Sequence, residues 1–390
     1  MRNIVYILGA GFSAPAGIPV MRDFLRAAQD IRQNHSGDNR YSYFGKVLEQ
    51  VTSPTRILPF YKADTFNIEE ILSILEMESL VTQKAGKTKI FEDFITDVIE
   101  YHAAPWQTNK IDPFLQLLQE TQSGNPLIDY YVPFVLNIFQ CDIELRDDIR
   151  YEKGKLRFIL KPRELGITQP SYSIITLNYD MVLERAVDYL NQFLSPEKKL
   201  FWYTANAARA ARATKSKSEK SGKSETSVRA AIPLAHLHGC TDGQGIISPT
   251  WNKSQVGTRR KQEIFGNWPI AHEALRNANE IRFLGYSLPE SDSYIKYLLK
   301  SAGLTCRNLQ KISAVCRDSS NTVKKRYLEV FNENTFQFMR YDLANYLRGC
   351  RPRDAVSSMH TKPLPLPWTI KFDALEQLHE SVMRHGDVNS

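Results

Sequence analysis

A glycine-rich segment near the N-terminus has the composition of a phosphate-binding turn. The apolar run Asn3 to Leu8 is typical of a buried parallel strand, and Gly9-Ala10-Gly11-Phe12-Ser13-Ala14 follows it as G-x-G-x-x-[G/A]. Glycine lets the backbone approach a diphosphate, and the N-terminus of a following helix supplies N–H donors. The alternative is a glycine turn without a ligand. Asp23 and Asp30 lie in helical sequence rather than at the end of a second strand, so the pattern indicates phosphate binding and not hydride transfer.

A second group of polar residues ends the apolar run Tyr172 to Leu177. Asn178-Tyr179-Asp180 stands at its carboxyl end, where open α/β sheets bind ligands. An asparagine there can hold a ribose hydroxyl or a water with either side-chain atom. Asn and Asp are also preferred helix caps, and a helix is expected from about Met181. We interpret Asn178 as functional, whereas for Asp180 a cap and a catalytic role are both open.

Two histidines lie at the end of a third candidate strand, Ile232 to His238. Side chains two positions apart in a strand face the same way, which makes a metal pair conceivable, but no third ligand has a suitable spacing. The sequence therefore predicts no metal site. His238 precedes Gly239 at a turn and is a candidate general base, with a hydrogen-bonded structural histidine as the alternative.

A fourth segment follows the candidate strand Glu280 to Leu284. Ser287 and Glu290 have the spacing of a capping box, and Pro289 fits a first helical turn. Because the Gly285 turn lies at a strand's carboxyl end, a ligand contact is compatible with that local role.

A parallel sheet is the element that would position these four segments together. Further strands are expected at Ile312 to Cys316 and Thr335 to Met339, with helical sequence between successive strands. This alternation predicts an α/β fold, namely a Rossmann-like doubly wound parallel sheet with a large helical insertion.

The same patterns divide the chain into segments. Residues 1–19 and 166–350 form the Rossmann-like domain, and residues 20–165 form the helical insertion. Residues 205–231 are a flexible basic loop, and residues 351–390 are a C-terminal tail whose proline-rich part is expected on the surface.

Composition narrows the classes of protein to which the chain can belong. The chain carries a net charge of +7, of which residues 205–231 contribute +5, so the folded body is close to neutral. Residues 205–231 contain no aromatic side chain on which a base could stack. We therefore favour a solvated loop and do not expect direct nucleic-acid binding. The five cysteines form no C-x-x-C pair, which is typical of a reducing cytoplasm. No apolar stretch reaches the roughly 18 residues of a membrane helix.

Four segments, taken in order, resemble the sirtuin-like superfamily. They are Gly9-Ala10-Gly11-Phe12-Ser13 with Ala16-Gly17-Ile18-Pro19, then Thr176-Leu177-Asn178-Tyr179-Asp180, Leu237-His238-Gly239, and Leu284-Gly285-Tyr286-Ser287-Leu288-Pro289. The resemblance covers residues of about 1–20 and 170–300 and implies a sirtuin-type NAD-binding domain.

Two departures separate the chain from the sirtuins that remove acyl groups from proteins. Their paired C-x-x-C zinc module is absent, and Val20-Met21-Arg22 stands where they continue with Asp-Phe-Arg. The resemblance therefore implies an NAD⁺ hydrolase (NADase) of bacterial antiphage defence, active in the cytoplasm and needing no metal. The partners it implies are a second copy of the chain and a DNA-translocating motor ATPase of the HerA type, with an Argonaute-like protein as the alternative.

The resemblance also implies roles for individual residues. Asn178, His238 and Asp180 are the implied catalytic residues, Asn178 positioning the ribose or the attacking water and His238 acting as the base. The diphosphate is assigned to Gly9-Ala10-Gly11-Phe12-Ser13, and the adenosine side to Gly285-Tyr286-Ser287. A non-catalytic sensor of NAD⁺ or of an ADP-ribose derivative is the alternative function, while protein deacylation or ADP-ribosyl transfer is disfavoured.

Overall fold

The protein is described by a computed structural model. The described residues are 2–52, 68–82, 86–103, 124–145, 158–163, 169–192, 194, 199–205, 231–242, 245–246, 264–352 and 368–386.

The centre of the molecule is a seven-stranded sheet in which all neighbouring strands are parallel. Its strands are β1 Asn3–Leu8, β4 Ser171–Thr176, β5 Trp202–Tyr203, β6 Ile232–His236, β9 Glu280–Leu284, β10 Lys311–Cys316 and β11 Phe336–Arg340. Their order across the sheet is β11-β10-β9-β1-β4-β6-β5. The two-residue strands β7 (Gly239–Cys240) and β8 (Gly245–Ile246) form a separate antiparallel pair. The Rossmann-like α/β prediction is confirmed, because β1 is central and later strands are added on both of its sides.

Each face of the sheet is covered by a separate apolar core. Alternate residues of β1 point to opposite faces, with Tyr6 in one cluster and Val5 and Ile7 in the other. The first face holds α7 (Val182–Asn191) and the elements of the insertion. The second holds α8 (Asn267–Arg276), α9 (Ser293–Gly303) and α10 (Thr322–Leu328). Helices on both faces bury the inner strands β1, β9 and β10 almost completely, which explains the unbroken apolar run of β1.

Residues 20–165 are largely helical where they are described, as predicted, but they also contain strands. The helices of this region are α2 Phe24–Asn34, α3 Phe44–Thr52, α4 Ile68–Thr82, α5 Gly86–Ala103 and α6 Val132–Ile138, after the short α1 Ala10–Ser13 of the glycine turn. The strands β2 (Cys141–Leu145) and β3 (Phe158–Pro162) pair antiparallel, so the expectation of almost wholly helical sequence is wrong there.

The last part of the chain also differs from the predicted tail. Strand β12 (Trp368–Ile370) adds to β2, and α12 (Leu375–His385) follows it. Leu375, Leu378 and Val382 are buried in the first core because their spacing puts them on one helical stripe. Residues 368–385 are therefore part of the folded body, and α11 (Leu343–Arg348) packs in the same core. The proline-rich segment at 363–367 lies outside the described residues.

The basic loop cannot be compared with its prediction, since residues 206–230 lie outside the described part of the chain. The domain boundaries themselves stay a prediction. Within the described residues, no helix combines the length and the apolarity needed to cross a membrane.

Candidate functional site

The turns after β1 and β9 meet at the point where the strand order reverses. The Gly9 N–H donates to the Leu284 carbonyl over 3.1 Å, and the Gly11 N–H donates to the Gly285 carbonyl over 2.9 Å. A Cβ atom at Gly9 would lie 2.5 Å from the Cα of Tyr286, so glycine is required for this approach. Gly285 itself has a φ of +65°, in the left-handed region. The glycines of the two motifs therefore let two backbones touch.

The five residues assigned to the diphosphate have different surroundings. The N–H groups of Gly9 and Gly11 already donate to carbonyls of the turn after β9. The N–H of Phe12 donates to the Gly9 carbonyl over 2.8 Å. The Phe12 ring is buried, with its centroid 5.2 Å from that of Phe134 and 5.4 Å from that of Tyr131. Its side chain packs in the core, while Ala10 is exposed and Ser13 is buried. Phosphate binding by this turn stays a prediction, and at Gly9 and Gly11 it requires the present hydrogen bonds to be exchanged.

Asn178 ties the end of β4 to the glycine turn. Its Nδ2 donates to the Gly9 carbonyl over 2.9 Å and to the Ser13 hydroxyl over 2.8 Å. The residue is only 8% exposed. The structure thus brings together three of the predicted site residues, at the carboxyl ends of two adjacent strands.

Asp180 has the local role that its sequence position suggested. Its Oδ1 accepts from the Val182 N–H over 3.2 Å at the start of α7. Burial raises the pKa of Asp180, and this outweighs the lowering effect of hydrogen bonds from Ser13 and from the Val182 N–H. A buried carboxyl with a raised pKa is also suited to proton transfer, so the geometry is compatible with both roles.

His238 lies two residues past the end of β6, beside a buried acid. Its Nδ1 is 3.2 Å from the Leu177 carbonyl, and its Nε2 is 3.4 Å from Oδ2 of Asp292. Asp292 in turn accepts a 2.9 Å hydrogen bond from the Tyr286 hydroxyl. Because a carbonyl oxygen only accepts, Nδ1 carries a proton and Nε2 is the nitrogen that can gain or lose one. The side chains of His238 and Asp292 are 2% and 1% exposed, so this pair is sealed from solvent.

His236 has a different acidic partner. Its Nε2 is 2.6 Å from Oε1 of Glu184 on α7. Burial alone would lower the pKa of His236, but the Glu184 carboxylate outweighs it and the pKa is raised. The two histidines therefore belong to separate acid–histidine pairs. Within the described residues, no group of three or more His, Cys, Asp and Glu side chains could hold a metal ion.

Sequence reasoning missed the two acids, Glu184 and Asp292, and misplaced one helix start. Glu184 lies in the first turn of α7, but its pairing with His236 depends on how α7 packs against β6 and has no signal in the local sequence. Asp292 is the last residue of the segment that begins at Gly285. Its pairing with His238 joins distant parts of the chain, so no local pattern indicates it. The capping box at Ser287 and Glu290 is wrong, since α9 begins at Ser293. Ser287 is partly buried and Tyr286 is 6% exposed.

The fold and the site together define a Rossmann-like α/β protein with glycine turns at the switch point of its sheet. No family model matches the chain. No curated protein matches it either. Among solved structures, it is similar to that of the sirtuin Sir2Tm bound to a propionylated peptide, with a TM-score of 0.29 and 12% identity, over 89% of this chain and 91% of that chain. The Rossmann-like fold follows from the strand order of the sheet and the parallel pairing of its strands.

Proposed function

We propose that the chain is an NAD⁺ hydrolase that cleaves the bond between nicotinamide and ribose. The observation that supports this most is the convergence of Gly9, Asn178, His238 and Gly285 at the carboxyl edge of one parallel sheet. Open α/β sheets bind their ligands in the crevice at that edge, where the strand order reverses. The sequence resemblance to sirtuin-like proteins adds the choice of NAD⁺ as the nucleotide.

The proposed reaction needs little acid catalysis, because nicotinamide leaves as a neutral molecule. Positive charge develops on the ribose ring as the bond breaks, as in glycoside hydrolysis. Asn178 would position the ribose beside the glycine turn that it already contacts. His238 would accept a proton at Nε2 from a ribose hydroxyl, and Asp292 would stabilise the resulting imidazolium.

The closed arrangement of the site supports activation by a partner or by assembly. Asn178, Asp180 and His238 are each less than a tenth exposed, and the two glycine turns are bonded to each other. We propose that association with further copies of the chain or with a HerA-type motor ATPase opens the site. An Argonaute-like protein is the alternative partner, and depletion of cytoplasmic NAD⁺ in antiphage defence is the proposed outcome.

A second candidate function is a non-catalytic sensor of NAD⁺ or of an ADP-ribose derivative. The burial of both His238 ring nitrogens between Leu177 and Asp292 favours it, because such a histidine could serve only to shape the site. Nucleotide binding without release of nicotinamide would identify the sensor.

The first test is nicotinamide release from NAD⁺ by the purified full-length chain across a wide range of protein concentrations. We expect His238→Ala to lower turnover by about 10²-fold or more, the usual scale of general-base help. Asn178→Ala should lower it by a similar factor of about 10², because the ribose would no longer be held in place. His272→Ala, a histidine of α8 hydrogen-bonded to Ser301 at the surface, is the control and should keep wild-type activity. Full cleavage by both site variants would refute the assignment.

A further inference from the structure

A small cavity with apolar walls at Leu8, Phe12, Val182 and Leu183 lies between the start of α7 and the carboxyl ends of β1, β4 and β6. The space of about 10 Å³ that it leaves for the centre of a water molecule is at the lower limit for holding one ordered water. Its polar lining consists of Thr176, Asn178, Asp180, Glu184 and His236. A buried water needs two to four polar partners, and this lining offers carboxylate acceptors beside a histidine that can donate.

The cavity borders the proposed site on the side away from His238. Asn178 lines the cavity and also contacts Gly9, while His238 is hydrogen-bonded to the Leu177 carbonyl and lies beside Asp292 instead. A molecule in the cavity therefore meets the Asp180–Glu184–His236 side and not His238.

Glu184 and His236 form a fixed, charged wall of this cavity. Their 2.6 Å contact joins α7 to β6, and their side chains are 18% and 7% exposed. The raised pKa of His236 favours its imidazolium form, which holds Glu184 in place and leaves Asp180 facing the cavity as a second acid.

We propose that the cavity holds the water that attacks the ribose, and that Glu184 and His236 are positioning residues for it. This inference rests on the proposed NAD⁺ hydrolase function. The bond between nicotinamide nitrogen and ribose C1′ breaks with its electron pair leaving on nicotinamide, and the water oxygen forms the new bond to C1′. The Asp180 carboxylate takes the proton that the water loses, and the products are ADP-ribose, nicotinamide and one proton.

The test separates water attack from bond cleavage. The full-length chain is incubated with unlabelled NAD⁺ and free labelled nicotinamide. Water attack yields ADP-ribose, whereas base exchange yields labelled NAD⁺, and the ratio of these two products is measured. Glu184→Gln and His236→Gln should lower this ratio by about 10²-fold, the scale expected when a reacting group is misplaced by about 1 Å. A purely structural defect would lower both products together. Asp188→Asn removes an exposed acid four residues along α7 and should leave the ratio unchanged.

Each outcome bears on one of the two proposals. An unchanged ratio in both variants, with nicotinamide release retained, overturns the role of Glu184 and His236. No nicotinamide release by the wild type under any activating condition refutes the proposed function and this inference with it. A crystal structure of the wild type provides a measurement independent of activity. It should resolve one ordered water bonded to Asp180 and to Glu184 or His236, and a dry cavity would overturn the proposal.

Discussion

The contact between the turns after β1 and β9 leaves no room for a side chain. A Cβ at Gly11 would lie 2.9 Å from the Gly285 carbonyl oxygen, and one at Gly285 would overlap the backbone nitrogen of Phe12. Interiors are packed at crystal density, so the overlap could be relieved only by separating the turns. These glycines therefore keep the two turns in contact and the candidate site closed, in addition to their proposed role in binding a phosphate.

Gly285→Ala should destabilise the protein by about 2–4 kcal/mol, because it combines overpacking with a left-handed φ for a residue that has a Cβ. Gly303→Ala is the matched control. Gly303 ends α9 with no atom within 4 Å of its added methyl group, so the change should be neutral or slightly stabilising. The free energies of unfolding from denaturant titration provide the comparison. Equal stabilities for the two variants would show that the turns separate at little cost.

At the scale of whole elements, a buried ionic network joins α12 to the central sheet. Both oxygens of Glu376 accept from Arg282 at 2.8 Å, and Oε1 also accepts from the Tyr172 hydroxyl at 3.0 Å. Arg282 is 1% exposed on β9, the neighbour of the central strand β1, and has Glu280 as its second acid. Such a pair fixes the position of the helix, because a misplaced α12 would leave Arg282 without half of its countercharge.

Glu376→Ala should cost about 3 kcal/mol of unfolding free energy, the scale for removing one partner of a buried ion pair. Glu380→Ala removes an acid from the same helix, but its pairing with Arg384 is exposed, so its cost should stay within about 0.5 kcal/mol. Urea unfolding of both variants beside the wild type measures the difference. Similar losses would mean that the packing of α12, and not its charge, holds the C-terminus.

The sequence predicts elements that are governed by local pattern better than elements that depend on distant partners. The apolar run of β1, Asn3–Leu8, is predicted with the bounds that the structure has, because a strand buried on both faces is unbroken. Strands β2, β3 and β12 are not predicted, since they form a separate sheet whose strands come from different parts of the chain. In the site, Asn178 could be identified from its place at a strand end. The pairing of His238 with Asp292 could not, because it depends on how β6 and the β9 turn are brought together.

At the scale of the whole molecule, two buried histidines change the stability of the fold with pH in opposite directions. The pKa of His236 is raised, so its contribution is fully present below about pH 6.5 and is lost as the pH rises through its folded pKa. The pKa of His379 on α12 is lowered well below the usual value by burial, with Arg282, Lys311 and Arg2 acting in the same direction. Its neutral ring lies between the hydroxyls of Ser313 and Tyr346, each 3.0 Å away.

Acid should therefore weaken the fold through His379 before most carboxylates titrate. Below about pH 6.5 the unfolded chain binds a proton at this histidine and the folded chain does not, so stability falls with decreasing pH by up to about 1.4 kcal/mol per unit. His379→Gln should remove that slope between about pH 6.5 and pH 5, whatever its effect on stability at neutral pH. His385→Gln, an exposed histidine at the end of the same helix, should leave the slope in place. Urea titrations across this range test both expectations. If the slope persists in His379→Gln, the acid sensitivity arises from other groups, and α12 is not the element through which low pH loosens the sheet.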